Sequence, residues 1–450
     1  MKTIIKRIGI LTVSVIAVVA GINLNNFASA TVPGTNQLVS SNSTGGFANG
    51  NSSSNFISPN GNVVVFNSSA SNILASGGGG IFARNLSSGT TSRINVSTSG
   101  ITGDSGNTRA LSISATGRYV LFMSYSTNLI DGTTTSGSKP QLYIRDITAS
   151  TTTIVSKNLS GTIADGTYLD ALGVSSDGRF VAFASNSTNL NSGSTTGVTH
   201  LYMLDRLNNT LNIMDRKSDG TIDNSSNTFG SQGSMSCDGS ILAFQTALNL
   251  IVGDTSSGHV DIYVLDLRGG QTKLTNLTKT ANQAAFGPIV SCNGDFIGYK
   301  STATNLDSSI SFTNTGYNHA YIYDRVNGAN HIASVTTSNT VTDNLDNCAA
   351  TWTGNTNPCI QVSDTGVGVF SANDSAITGA TGDQVYQRNI YTGTTELVSK
   401  NSSGTVGNGG SSGATINASG SLVTYSSNAT NLVSGDTNGY GDAFTSLTGY

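Results

Sequence analysis

Residues 175–183 read SSDGRFVAF. A Ser, an Asp-Gly turn and a short apolar run ending in an aromatic residue describe a hairpin that enters a buried strand. The form recurs six more times. SPNGNVVVF ends at Phe66, SATGRYVLF at Phe122, SCDGSILAF at Phe244, SCNGDFIGY at Tyr299, SDTGVGVF at Phe370 and NASGSLVTY at Tyr425. The turn glycines Gly61, Gly117, Gly178, Gly239, Gly294, Gly366 and Gly420 stand 54 to 72 residues apart. Self-similarity sustained along a whole chain marks a repeat architecture.

Reading outward from each turn gives the rest of the unit. An Asn follows the aromatic by five or six residues, at Asn72, Asn128, Asn189, Asn249, Asn305 and Asn431; the sixth unit lacks it. A Gly/Ser/Thr loop comes next, then a second aromatic strand. Its aromatic is Phe82, Tyr143, Tyr202, Tyr263, Tyr321, Tyr386 or Phe444. Three residues later stands Asn85, Asp146, Asp205, Asp266, Asp324 or Asn389, and Leu447 in the last unit. A further strand, such as TTTIVSK, closes each unit. Four strands repeated radially make a propeller blade. The expected fold is therefore all-β, a seven-bladed β-propeller of four-stranded antiparallel blades. One sheet cannot cover both of its faces, so the aromatics are assigned to packing between blades.

The ends of the chain point to a closed ring. The last unit stops after its third strand. GTNQLVSSNSTG at 34–45 matches GTTELVSKNSSG at 393–404, which is a fourth strand. Residues 31–46 are thus expected to supply the last strand of blade seven, within a propeller spanning 31–450.

The S-x-D-G-R-x-V-A-F turn, together with the T-N-L-x-x-G-D-T-N-G…D stretch at 430–442, resembles the TolB-like, WD40-like (PD40) propeller repeats of bacterial exported proteins. The resemblance covers nearly all of the chain after residue 30. It implies a propeller fold and leaves function open.

Composition narrows the partners. Only 10% of residues are charged and the formal net charge is −4. Polarity comes from Ser, Thr, Asn and 53 Gly, which favour turns over helices. With no basic block, nucleic acid is excluded as a partner. Residues 1–30 read as a signal peptide: a positive MKTIIKR start, an apolar run too short to span a bilayer, and Ala28-Ser29-Ala30 as a cleavage site. The mature protein is expected outside the cytoplasm, secreted, periplasmic or at the cell surface, with no membrane insertion after cleavage, and monomeric.

Few residues offer chemistry. TNLVSGDTNGYGDAF at 430–444 places Asp436, Asn438 and Asp442 as possible oxygen ligands for calcium. TNLNSGSTTGVTHLY at 188–202 keeps the skeleton without a carboxylate, so a structural turn is the preferred reading and no cofactor is required. The recurring Asp that ends the third strand is read as a turn cap. His200 and His319 share one repeat position, which suggests architecture rather than a catalytic base. GDSGN at 103–107 and GGSSG at 409–413 echo nucleophile motifs but lack the strand-to-helix turn such a site needs. Cys348 and Cys359 bracket an insertion and are expected to form a local disulfide. Cys237 and Cys292 each lie two residues before a turn Gly in neighbouring units. They pair if their Cα atoms come within ~7 Å; otherwise they are two buried thiols.

The functional expectation is a non-catalytic binding or scaffolding module for a protein or glycan partner held at the propeller funnel. The alternatives are a lyase- or glycosidase-type propeller enzyme and a structural adhesion protein. Titratable groups clustered in the funnel favour the enzyme; Ser, Thr, Asn and aromatic side chains favour binding.

Overall fold

The computed structural model describes residues 34–450 apart from 195, 225–232, 254–257, 271, 313–315, 342–344, 346–358 and 374–381. The signal segment expected at 1–30 lies outside the described residues. The chain folds into seven four-stranded antiparallel sheets. Blade 1 is built from β2 (Ser52–Ile57), β3 (Val63–Ser68), β4 (Gly80–Asn85) and β5 (Thr91–Arg93). Blades 2 to 6 follow in the same order over 108–154, 169–213, 233–276, 285–332 and 360–397. In each blade the first strand is innermost, and first strands of adjacent blades approach one another around the axis.

Blade 7 closes the ring. Its sheet runs β26 (Ser411–Ile416), β27 (Leu422–Ser427), β28 (Asp442–Leu447) and then β1 (Asn36–Leu38), so the outermost strand comes from the N-terminal end of the chain. The register sets Asn36 opposite Ser446 and Leu38 opposite Phe444. Side chains reinforce it. Tyr425 donates its hydroxyl to Asn36 Oδ1 at 2.8 Å, and Asn36 donates its amide to the Lys400 carbonyl at 2.7 Å. Ser40 donates to Asp442 Oδ1 at 2.7 Å while accepting the Ala443 N–H. These bonds tie the clasp to blade 7 and to the segment just past the outer strand of blade 6.

The two aromatics of each unit sit directly opposite each other on strands two and three. Phe183 faces Tyr202 with ring centroids 5.3 Å apart, and Phe122 faces Tyr143 at 5.4 Å. The other five pairs repeat this arrangement. Each pair packs on the aliphatic face of the preceding blade. Phe122 and Tyr143 lie on Val65 and Ala83 of blade 1, and Phe66 and Phe82 lie against Ala443 of blade 7. The aromatics are therefore both cross-strand pairs and inter-blade packing. A buried aromatic removes 150–250 Å² from water, and truncating one to Ala typically costs ~3–5 kcal/mol.

The turn glycines all adopt positive φ, from 73° at Gly178 to 84° at Gly420, which a side chain with a Cβ rarely tolerates. These turns converge on one end of the channel. Ser176 N–H bonds the Cys237 carbonyl, Cys237 N–H the Cys292 carbonyl, Asp364 N–H the Ala418 carbonyl and Ala418 N–H the Pro59 carbonyl. Cys237 and Cys292 are 4.7 Å apart at Cα and form a disulfide that staples blade 4 to blade 5. Their separation falls well inside the pairing limit because the turns meet at the axis, where blade spacing is smallest. Cys359 is also disulfide-bonded; Cys348 lies outside the described residues.

Two outcomes follow for stability. Removing residues 34–43 strips the outer strand from blade 7 and sharply lowers the melting temperature in differential scanning calorimetry; an unchanged melt would show that the clasp does not close the ring. Cys237 and Cys292 are 55 residues apart, so replacing both by Ser lowers unfolding stability by about 2–4 kcal/mol in guanidinium titrations.

Candidate functional site: a polar cleft on blades 7, 1 and 2

The ends of the strands opposite the converging turns carry a cleft of about 850 Å³. Three consecutive blades line it. Blade 7 supplies Gly410, Ser412 and Asn428; blade 1 supplies Ser53, Asn67 and Gly80; the entry to blade 2 supplies Asp104, Ser105 and Gly106. The remaining lining residues are likewise Ser, Thr, Asn and Gly. The cleft runs along blade 1 from its inner strand to Asn95, just past its outer strand. Asn67 Oδ1 is buried and has no hydrogen-bond partner, an acceptor left for a ligand.

A recurrent clamp shapes this face. The Ser/Thr-Asn pair after strand two reaches back to the loop before strand one. Asn128 accepts the Asp104 N–H and donates to the Thr102 carbonyl, while Asp104 accepts the Thr127 N–H and hydroxyl. Asn431 and Asn408 repeat the exchange in blade 7, and Asn72 and Asn49 in blade 1. The T-N motif is thus a two-way lock between loops, and it holds the cleft walls in place.

Asp104 is the single titratable side chain among the lining residues. Its hydrogen bond from the Thr127 hydroxyl holds its carboxyl below the usual range. Hydrolysis of a glycosidic bond needs a raised carboxylic acid and a second carboxylate across the bond. The cleft lining holds no such pair. GDSGN and GGSSG both reach this cleft, through Ser105 and Ser412; Ser105 accepts the Asn107 N–H, and the neighbouring Ser411, which does not line the cleft, bonds Ser427. GGSSG also runs into β26, rather than lying wholly in a loop.

A second cavity, of about 230 Å³ between blades 5 and 6, does gather titratable groups: Asp307, His331, Arg388 and Tyr391. Most of them are committed to the framework. Asp307 accepts from Ser309 and the Ile332 N–H. Arg388 donates to the carbonyls of Thr336 and Gly393 and to Thr395 and Asn339. Tyr391 donates to Asp324.

The other candidate residues fall into place as architecture. Asp205 accepts the N–H groups of Leu207 and Asn208, and Asp324 those of Val326 and Asn327, as turn caps. Arg179 of the D-G-R turn pairs with Asp205, and Arg118 with Asp146; these bonds hold the Asp205 carboxyl well below the carboxylate range and lower that of Asp146. His200 and His319 each open a third strand and are almost fully buried. His200 sits 3.0 Å from Asp215 Oδ2 and 3.0 Å from Asn224 Oδ1. Burial acts to lower its pKa, but the bond to and charge of Asp215, with Asn224, outweigh it, and the net shift is upward. Asp436 and Asp442 are brought together in one loop. Asn438 lies between them, but its amide N–H groups point to the Ala48 carbonyl and Asp442 Oδ2, so it presents a donor to Asp442 rather than an oxygen to a cation. Among the described residues no cluster of three His, Cys, Asp or Glu is placed to hold a metal.

Comparison with family models finds no match, and comparison with curated proteins finds none. Solved structures match through the fold. An oligogalacturonate lyase in complex with manganese is 11% identical, with 92% of this chain and 96% of that chain covered and a TM-score of 0.51. TolB from Acinetobacter baumannii is 12% identical with a TM-score of 0.40; 77% of this chain is covered, and the match spans 62% of TolB. The propeller domain of the Trilobed protease from Pyrococcus furiosus is 13% identical, with 88% and 95% covered and a TM-score of 0.48. At 11% identity, the likeness to the lyase is a likeness of fold alone.

The upward shift at His200 has a defined sign. A raised folded-state pKa gives stability that is complete below the unfolded value near 6.5 and is lost as pH rises through the folded value. Melting temperatures of the wild type should therefore fall over that window relative to His200→Gln, whose side chain matches the Gln at the same place in blades 2 and 6. Parallel pH profiles for the two proteins would show that the His200 pKa is the same folded and unfolded, and would contradict the upward shift.

Proposed function

We propose that the protein is a non-catalytic, extracytoplasmic binding module whose cleft takes an uncharged, hydroxyl-rich glycan chain. The lining of the cleft carries this reading: hydroxyls, amides and exposed glycine backbone over about 850 Å³ suit a sugar chain, which presents donors and acceptors without charge. Low overall charge argues in the same direction, since an ionic partner needs a charged surface. The export-type N-terminus and the Cys237–Cys292 disulfide support an oxidising location. With no aromatic platform among the lining residues, affinity rests on hydrogen bonds, and the site favours extended contact over tight capture of one sugar.

The test uses two glycines of the cleft. A Cβ at Gly106 or Gly410 meets nothing within 4 Å, and neither residue has positive φ. Gly410→Trp therefore fills the cleft and leaves the fold intact. On an array of neutral glycans, followed by calorimetric titration of the hits, the wild type binds with little salt dependence. The variant binds about tenfold or more weakly at the same melting temperature. Binding that Gly410→Trp and Gly106→Trp leave unchanged would place the ligand elsewhere.

A further inference from the structure

The first residue of strand three occupies a polar slot in blade after blade: Gly80 in blade 1, Gln in blades 2 and 6, His in blades 3 and 5, and Asp in blades 4 and 7. In blades 2 and 6 it is Gln141 and Gln384, whose amides donate to loop carbonyls and accept from Ser156 and Ser399. In blade 3 it is His200, bonded to Asp215 and Asn224. In blade 1 it is Gly80, and the guanidinium of Arg93 reaches in to bond the carbonyls of Gly77, Gly78 and Gly79. A side-chain cation thus sits among loop oxygens in blade 1, and an imidazole takes the same place in blade 3.

Blades 4 and 7 have the opposite sign: Asp261 of blade 4 accepts from Asn276 and Thr278, whereas blade 7 holds two carboxylates. Asp442 is fully buried; its Oδ1 accepts from Ser40 and its Oδ2 from Asn438. Asp436 is 6% exposed, and its Oδ1 is buried with no partner. The charges of the two carboxylates act on one another, and burial raises the pKa of each. Among the described residues no Lys, Arg or His pairs with either. Two neighbouring buried carboxylates without a counter-charge are costly, because each loses hydration and repels the other.

We propose that the 431–442 loop holds a calcium ion through the Asp436 and Asp442 carboxylates. A hard divalent cation takes oxygen ligands, neutralises both charges and satisfies the orphaned Asp436 oxygen. Asn438 is a positioning residue that fixes Asp442 Oδ2. In the 188–202 stretch His200 stands at the place of Asp442 and is bonded to Asp215 and Asn224, so its slot is filled by other groups and its sequence is no test of the blade 7 loop. The ion would sit one bond from Ser40, and so would brace the clasp that closes the ring.

Calorimetric titration of the full mature chain with calcium, and its melting temperature in calcium against a chelator, test the proposal. The expected result is one saturable site and a melting temperature about 2 °C or more higher at millimolar calcium. Asp436→Asn removes charge without bulk; it should fold, bind calcium at least tenfold more weakly and lose the thermal response. Absence of calcium heat and of any thermal response in the wild type would overturn the site. So would a response that survives in Asp436→Asn, or one that magnesium reproduces in full.

Discussion

The structure depends on three residues of β1 pairing with the edge of β28. Each blade is apolar on both faces, so a row of seven would leave two bare faces at its ends. Closing the row into a ring removes them, and antiparallel pairing of Asn36–Leu38 with Phe444–Ser446 joins the first and last segments of the chain. The aromatic ladders then repeat at every joint, including Phe66 and Phe82 against blade 7. Val39 N–H bonding the Ala443 carbonyl and Ser40 bonding Asp442 extend the clasp beyond its short strand.

Ring closure also makes the two ends of the propeller different. At one end the glycine turns meet about the axis and exchange backbone hydrogen bonds, with the Cys237–Cys292 bond set among them. At the other end the loops are longer and held apart by the Ser/Thr-Asn clamps. The cleft lies at this open end, where three blades present hydroxyls and amides. Rigid strands with reciprocally locked loops are a scaffold suited to recognition, because little order has to be imposed when a ligand arrives.

Much of the fold was legible in the sequence because local rules repeat. Positive φ at Gly61 through Gly420 follows from the turn type alone, and the likeness of 34–45 to 393–404 exposed the clasp. The Asp caps at Asp205 and Asp324 were legible for the same reason. What the sequence left open is what distance in the chain conceals. Cys237 and Cys292 pair because turns 55 residues apart converge, which the repeat pattern does not state. Asn128 and its relatives were visible as a motif, but their partners stand 24 residues earlier, at Asp104. The signal is an Asn or Asp 23 or 24 residues before the Asn of the Ser/Thr-Asn pair. The cleft escaped notice because Ser, Asn and Gly are abundant everywhere in this chain; only their assembly from blades 7, 1 and 2 distinguishes it. The 430–444 and 188–202 stretches align in sequence, and only the structure shows that His200, at the place of Asp442, is bonded to Asp215 and Asn224.

Native-state hydrogen exchange over residues 34–43 tests ring closure most directly. The Val39 amide is bonded to a carbonyl in β28, so its exchange should require the blade to open. The account predicts that this segment exchanges as slowly as the central strands of blade 3, over 180–185. Rapid exchange at 34–43, with the central strands still protected, would show that the ring stands without its clasp and would contradict the account.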